Sequence, residues 1–168
     1  CPCEGDLDDN AYATIVADVR AGIAEDPARL LAPLAARMKA RAREPRFEDA
    51  AVARDRFQAL ATSLERRRAW QSLQGAGRIW AEDPAGNGAF SDQGRLVATW
   101  QPGDRSPLFN VAGSDSVDLT QVPTSVSLQE EAHLIWRWLV RSGVTVMESR
   151  APLASPARPV PTREALAG

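Results

Sequence analysis

The sequence predicts an α+β protein: an N-terminal antiparallel helical hairpin followed by a small antiparallel sheet packed with one helix. Three observations carry this expectation. Apolar residues recur at spacings of three and four through roughly the first 74 residues, the period of an amphipathic helix. Beyond Gly77 the pattern changes to short runs rich in Ile, Val and Trp between Gly-containing turns, the signature of strands. Near Ser127 a helical stripe returns behind a capping signal. The chain therefore divides into a helical region over 1–74, a small mixed domain over 75–150 and a Pro-rich tail over 151–168.

Each element has a local cause. Asp8 is placed to cap a first helix whose apolar face is Tyr12, Ile15, Val16, Val19 and Ile23. Asp26-Pro27 restarts the helix, with Asp at the N-cap and Pro at the first helical position, where its missing N–H costs nothing. Leu30, Leu31, Leu34 and Met38 form the second stripe. Pro45 disfavours helical geometry at Glu44, so that helix ends there and the next opens. The third helix runs from about 46 to 74, with Phe47, Ala50, Ala51, Phe57, Leu60, Ala61 and Leu64 as its stripe, and Gly75 and Gly77 stop it. Two long helices joined by so short a turn lie antiparallel, as a hairpin over about 29–64.

In the mixed domain, "GRIWA" and "GRLVATW" read as strands, with turns at Gly86-Asn87-Gly88 and Asp92-Gln93-Gly94. Residues 101–126 read as loop. Ser127 and Glu130 match S-x-x-E ahead of a helix whose apolar face is Leu128, Ala132, Ile135, Trp136, Leu139 and Val140. Trp136 and Trp138 point to different sides of it, which leaves one of them exposed. "VTVM" follows as a strand. Four prolines and few groups able to pack make 151–168 a disordered tail.

The chain has 168 residues, of which 44% are apolar and 25% charged, as expected of a folded globular protein. No stretch approaches the ~20 apolar residues of a membrane span. The net charge of −2 conceals a division. Residues 1–28 hold seven acids against one Arg, residues 29–74 eleven bases against five acids, and residues 75–168 eight bases against ten acids. The middle segment is thus basic, which suits either a solvated helix surface or contact with nucleic acid. The first residue is Cys1 and not Met, which reads as a fragment or processed product; a lipidated mature N-terminus is a further reading of the same residue.

The stretch "PRFEDAAVARDRFQAL" concentrates the chemistry of the hairpin. Ala50-Ala51 let a second helix approach closely, and Phe47 one turn earlier can plug the open end. Arg54 lies three and four residues beyond them, hence on the same face. A guanidinium on an apolar stripe is costly unless a carboxylate meets it. Glu48 is six positions away and cannot reach along the helix, so the expected partner comes from another helix or another protein.

The order Leu34, Met38, Phe47, Glu48, Ala50, Ala51, Arg54, Asp55 and Leu60 resembles the UVR motif, a helical hairpin of the bacterial excision-repair proteins UvrB and UvrC. The likeness covers roughly 29–64, most specifically "FEDAAVARD". Pro45-Arg46 replaces the more usual turn residues, and Phe57 stands where the family more often has Ile or Leu. "PCEG" followed by Tyr12 and Val16 resembles the segment after the GIY-YIG nuclease domain of UvrC-like and Cho-like proteins. With "GRL" and "WRWL", the order looks like the C-terminal part of actinobacterial proteins that join a DEDD exonuclease to a GIY-YIG region. The resemblance implies a non-catalytic, cytoplasmic region of a DNA-repair nuclease. It docks a UvrB-like helicase, or a second copy of itself, through Phe47, Glu48, Ala50, Ala51, Arg54 and Asp55. A structural interaction module unrelated to DNA repair is the rival reading.

In such relatives the cysteines of this region can hold an iron–sulfur cluster. Cys1 and Cys3 supply two thiolates where a cluster needs about four ligands, so any cluster belongs to a longer protein with ligands upstream. Nucleophilic catalysis would need His133, the one histidine, and it reads more simply as a helix residue. Asp6, Asp8 and Asp9, like Glu130 and Glu131, sit at helix starts, where acids complement the helix dipole. Arg66, Arg67 and Arg68 form a basic run for phosphate contact or for offsetting the helix C-terminus. Trp70 either stacks on a base or packs on the mixed domain.

Overall fold

A computed structural model of the chain describes residues 8–43, 47–104, 126–141, 143–154 and 158–166. It is α+β and falls into two compact units: residues 1–65 with 157–168, and residues 66–156.

The first unit is helical. Helix α1 (Asp9–Ala24) opens as expected, with Asp8 Oδ1 accepting from the Ala11 N–H at 2.6 Å. Its predicted stripe is split. Val16 and Ile23 are half-buried, but Tyr12, Ile15 and Val19 are 52%, 49% and 41% exposed. The buried residue of α1 is Gly22. Helix α2 (Ala28–Arg43) starts where Asp26-Pro27 predict: Asp26 Oδ1 accepts from the Ala28 N–H at 3.2 Å, and Pro27 is fully buried. Helix α3 (Phe47–Ala76) begins shortly after α2 ends. Leu31 and Ala35 of α2 share a buried cluster with Phe57, Ala61 and Leu64 of α3, flanked by Ile23, Leu34 and Leu60.

The approach of α1 to α2 makes a test. A Cβ at Gly22 would lie 2.4 Å from Leu30 Cγ. Alanine gains about 1 kcal/mol over glycine in a helix interior, whereas overpacking costs about 1–3 kcal/mol. Gly22→Ala is therefore expected to destabilise by about 1 kcal/mol, seen as a lower urea midpoint at unchanged slope. A stabilised variant would show that Leu30 yields freely.

The second unit takes the last part of α3 and a four-stranded antiparallel sheet ordered β3-β2-β1-β4, from β1 (Arg78–Glu82), β2 (Gly88–Asp92), β3 (Arg95–Trp100) and β4 (Thr145–Ser149). Helix α4 (Val126–Leu139) completes it. Trp70, Leu73 and Ala76 of α3 meet Ile79 and Ala81 of β1 and Ala132, Ile135 and Leu139 of α4. The β2–β3 connection has positive φ at both residues, 50° at Gln93 and 78° at Gly94, the two-residue turn whose twist matches the strands it joins. The β1–β2 connection is held by Asp83, whose carboxylate accepts from the Ala85 and Asn87 N–H groups, both at 2.9 Å, and from the Asn87 side-chain amide. That amide, ahead of the backbone donors, holds the Asp83 carboxyl below its ordinary range. The turn thus gains stability above the unfolded-state pKa and loses it as pH falls through the folded one.

Four expectations change. The division of the helical and mixed regions falls at Glu65 and Arg66, not at 74, because Trp70, Leu73 and Ala76 belong to the sheet's core. The tail is not an unpacked segment: Leu153 packs on the core of the second unit, and Val160 and Leu166 pack on the hairpin cluster. Prolines remove backbone freedom as well as donors, so Pro-rich residues beside apolar anchors can pack at little entropic cost. Trp136 and Trp138 are both half-buried against the core, so neither stands free. Helix α4 begins at Val126, one residue before the predicted cap Ser127.

Candidate docking site

Helix α3 positions most of the residues singled out in its first three turns. Phe47 is its first residue, and its side chain lies outside the described part of the structure. Glu48 is exposed next to it; Glu48 and Asp49 occupy the first turn, where acids complement the helix dipole. Ala50 and Ala51 are half-buried. The fully buried line is Ala53, Phe57, Ala61 and Leu64, at the spacings of one helix face.

Arg54 is one position, about 100°, around from Ala53. It therefore sits on the flank of the seam and not within it, with 57% of its side chain exposed. Its carboxylate comes from the next residue: Arg54 Nε and Nη2 both donate to Asp55 Oδ1, at 3.0 and 2.9 Å. The expectation that Arg54 needs a carboxylate from another helix or another protein is thereby corrected. Its desolvation is slight and the pair is solvated. Such a pair adds about 0–1 kcal/mol to stability, which leaves both charges available to a partner.

One groove lies on this flank. It encloses about 480 Å³ and is lined on α3 by Arg54, Asp55, Phe57, Gln58, Ala61 and Glu65, and on the other side by Pro161, Thr162, Arg163 and Glu164. Its floor is apolar and both rims carry an acid and a base. The Glu164 carboxyl is held below its ordinary range, first by its own backbone N–H and then by Arg163, whose Nη2 lies 3.2 Å from it. The segment is tied at its start by Arg158 Nη1, 2.6 Å from Asp26 Oδ2. It closes in a turn in which Thr162 Oγ1 accepts from the Ala165 N–H at 3.3 Å. The sequence pattern of 151–168 hides this contact. The weak signal it does contain is the spacing of Val160 and Leu166 after Arg158, among prolines too few to forbid packing.

The basic run does not form one patch. Successive helix positions point about 100° apart. Arg66 is exposed, Arg67 is half-buried with its Nε enclosed and unpartnered among the described residues, and Arg68 is 8% exposed. Arg66 alone of the three is exposed to a phosphate. Trp70 is in the core of the second unit and does not offer a stacking face. His133 is half-buried on α4, beside the core residue Ala132. Glu131 accepts from the Leu96 backbone N–H at the edge of β3, a structural duty beyond the helix dipole. Cys1, Cys3 and Asp6 lie outside the described residues. Among the described residues, no group of three or more His, Cys, Asp and Glu side chains is placed to hold a metal ion. No helix there is long and apolar enough to cross a membrane.

No protein-family model matches the chain, and neither a curated protein nor a solved structure matches it.

Proposed function

We propose that this chain is a non-catalytic docking region of a bacterial DNA-repair nuclease of the excinuclease or exonuclease type, working in the cytoplasm. Its hairpin engages a partner protein through the first turns of α3, and the partner the UVR resemblance favours is a UvrB-like helicase. The observation that carries the reading is the order "FEDAAVARD" on a helix that presents Glu48, Arg54 and Asp55 to solvent beside the half-buried Ala50 and Ala51. A partner helix can lie over small residues while its own charges meet an arginine and a carboxylate already displayed. An iron–sulfur cluster, with Cys1 and Cys3 among its ligands, belongs to the longer protein that this reading implies.

The test is capture of a purified UvrB-like helicase by the full chain and by Arg54→Ala and Asp55→Ala. Both residues are exposed, so circular dichroism is expected to be unchanged. Removing a charged contact at an interface typically costs 1–2 kcal/mol, so each variant is expected to bind roughly tenfold more weakly. Undiminished capture by both would reject docking at this face. If instead the wild-type chain captures no helicase but associates with itself, the second copy is the partner.

A further inference from the structure

The groove beside Arg54 has one wall made by the chain's own C-terminal segment, and that segment reaches the hairpin through identifiable groups. Arg158 meets Asp26, the carboxylate that also caps α2. Val160 and Leu166 pack on the cluster that holds the hairpin together. Between them, Pro161 to Glu164 stand opposite the flank of α3. The pattern is a basic residue, an apolar residue two positions on, and a second apolar residue six further on, with prolines that pre-order the stretch.

We propose that the hairpin face formed by Leu31, Ala35, Phe57, Ala61 and Leu64 is a binding surface for segments of this pattern, and that residues 158–166, which wall the groove beside it, are its intramolecular ligand, displaced when a partner docks. The inference rests on the docking reading above for its consequence, because it places a competitor beside the same Arg54 and Asp55. Its physical basis is separate. The anchors of the segment are modest: both apolar side chains are only partly buried, and Arg158 is 68% exposed on its side of the ion pair. A segment tethered at high effective concentration can nonetheless occupy a weak site much of the time, and it lowers the apparent affinity of any competitor by the fraction of the face left open.

The experiment uses the full chain and a fluorescent peptide spanning residues 157–168. In the double variant Arg158→Glu, Leu166→Asp the tethered segment is released, and amide exchange of residues 160–166 is expected to accelerate while that of α2 and α3 is preserved. The released chain is expected to bind the peptide at least about tenfold more tightly than the wild-type chain does. A peptide bearing the same two substitutions is expected not to bind, which tests recognition without altering the protein. The released chain is also expected to capture the UvrB-like helicase several-fold better, with the wild-type peptide competing.

Equal peptide binding by the two chains, or peptide binding by neither, overturns the inference. So does better peptide binding with unchanged or weaker helicase capture, because the segment would then not compete. Tighter peptide binding by a chain that captures no helicase in either form removes the docking reading and, with it, the competition; the binding face and its peptide pattern stand.

Discussion

Gly88→Ala is expected to destabilise the sheet unit by about 3 kcal/mol, the largest effect foreseen for a single methyl group in this chain. Gly88 pairs with Trp100 across the β2–β3 ladder, and the indole occupies the space a side chain at 88 would fill. A Cβ there would come within 1.8 Å of Trp100 Cε2 and 1.9 Å of Cζ2. Those atoms belong to a rigid ring, so the whole side chain would have to move. The ring has little freedom to do so. It is 6% exposed, packs on Trp80 with centroids 4.8 Å apart, and donates from Nε1 to Glu82 Oε1 at 2.9 Å. Expelling it forfeits most of its burial, an aromatic contact of about 0.5–1.5 kcal/mol and a hydrogen bond of similar net worth. Relief of glycine's entropy in a strand returns about 0.5–1 kcal/mol. The balance approaches a Trp truncation, reported by urea unfolding and by a red shift of tryptophan emission. Gly75→Ala is the control: this helical glycine has no atom within 4 Å of a built Cβ and its φ is not positive, so a gain of up to about 1 kcal/mol is expected. A loss below 1 kcal/mol at Gly88 would mean that Trp100 swings aside at little cost.

The cause of that prediction marks the limit of what the sequence discloses. Helix starts were legible because their causes are local: Asp8 and Asp26 cap α1 and α2 with their own carboxylates, and Gly77 ends α3 at a φ of 70°. The turn at Gln93-Gly94 was legible for the same reason. Strand β2 escapes because "GAFSD" holds one residue of strand character, Phe90, and owes its place to neighbours on both sides. Along α3 the expected face holds at Phe57, Leu60, Ala61 and Leu64, and differs by about one position only near its start, where Ala53 is the buried residue. Ala50, Ala51 and Arg54 fit a stripe as well as Ala53 does, and the local pattern alone does not decide that Ala53 is the buried one. The division at Glu65 was hidden for a related reason: one unbroken helix supplies two cores, and nothing in its composition announces where the first ends. The groove had the faintest trace of all, since its far wall is about a hundred residues further along the chain than its near one.

Phe57→Ala is expected to cost about 3–5 kcal/mol, and it separates the hairpin's core from its docking role. Phe57 is 4% exposed among Leu31, Ala35, Ala61 and Leu64, yet it also contributes to the floor of the groove. Loss of capture in this variant would therefore report unfolding before it reported a contact, which is why exposed Arg54 and Asp55 are the proper probes. The variant is informative for another reason. All five tryptophans, at 70, 80, 100, 136 and 138, fall within residues 66–156, whereas α1, α2 and most of α3 lie in the other unit. Far-ultraviolet circular dichroism thus weights the hairpin and tryptophan emission reads the sheet unit. For Phe57→Ala the dichroism midpoint in urea is expected to fall well below that of the wild-type chain while the emission midpoint moves less, a divergence that two-state unfolding forbids. Gly88→Ala is expected to give the opposite order. If both probes shift together in both variants, the continuous helix α3 couples the two cores into one cooperative unit. Loosening the hairpin would then also loosen the sheet.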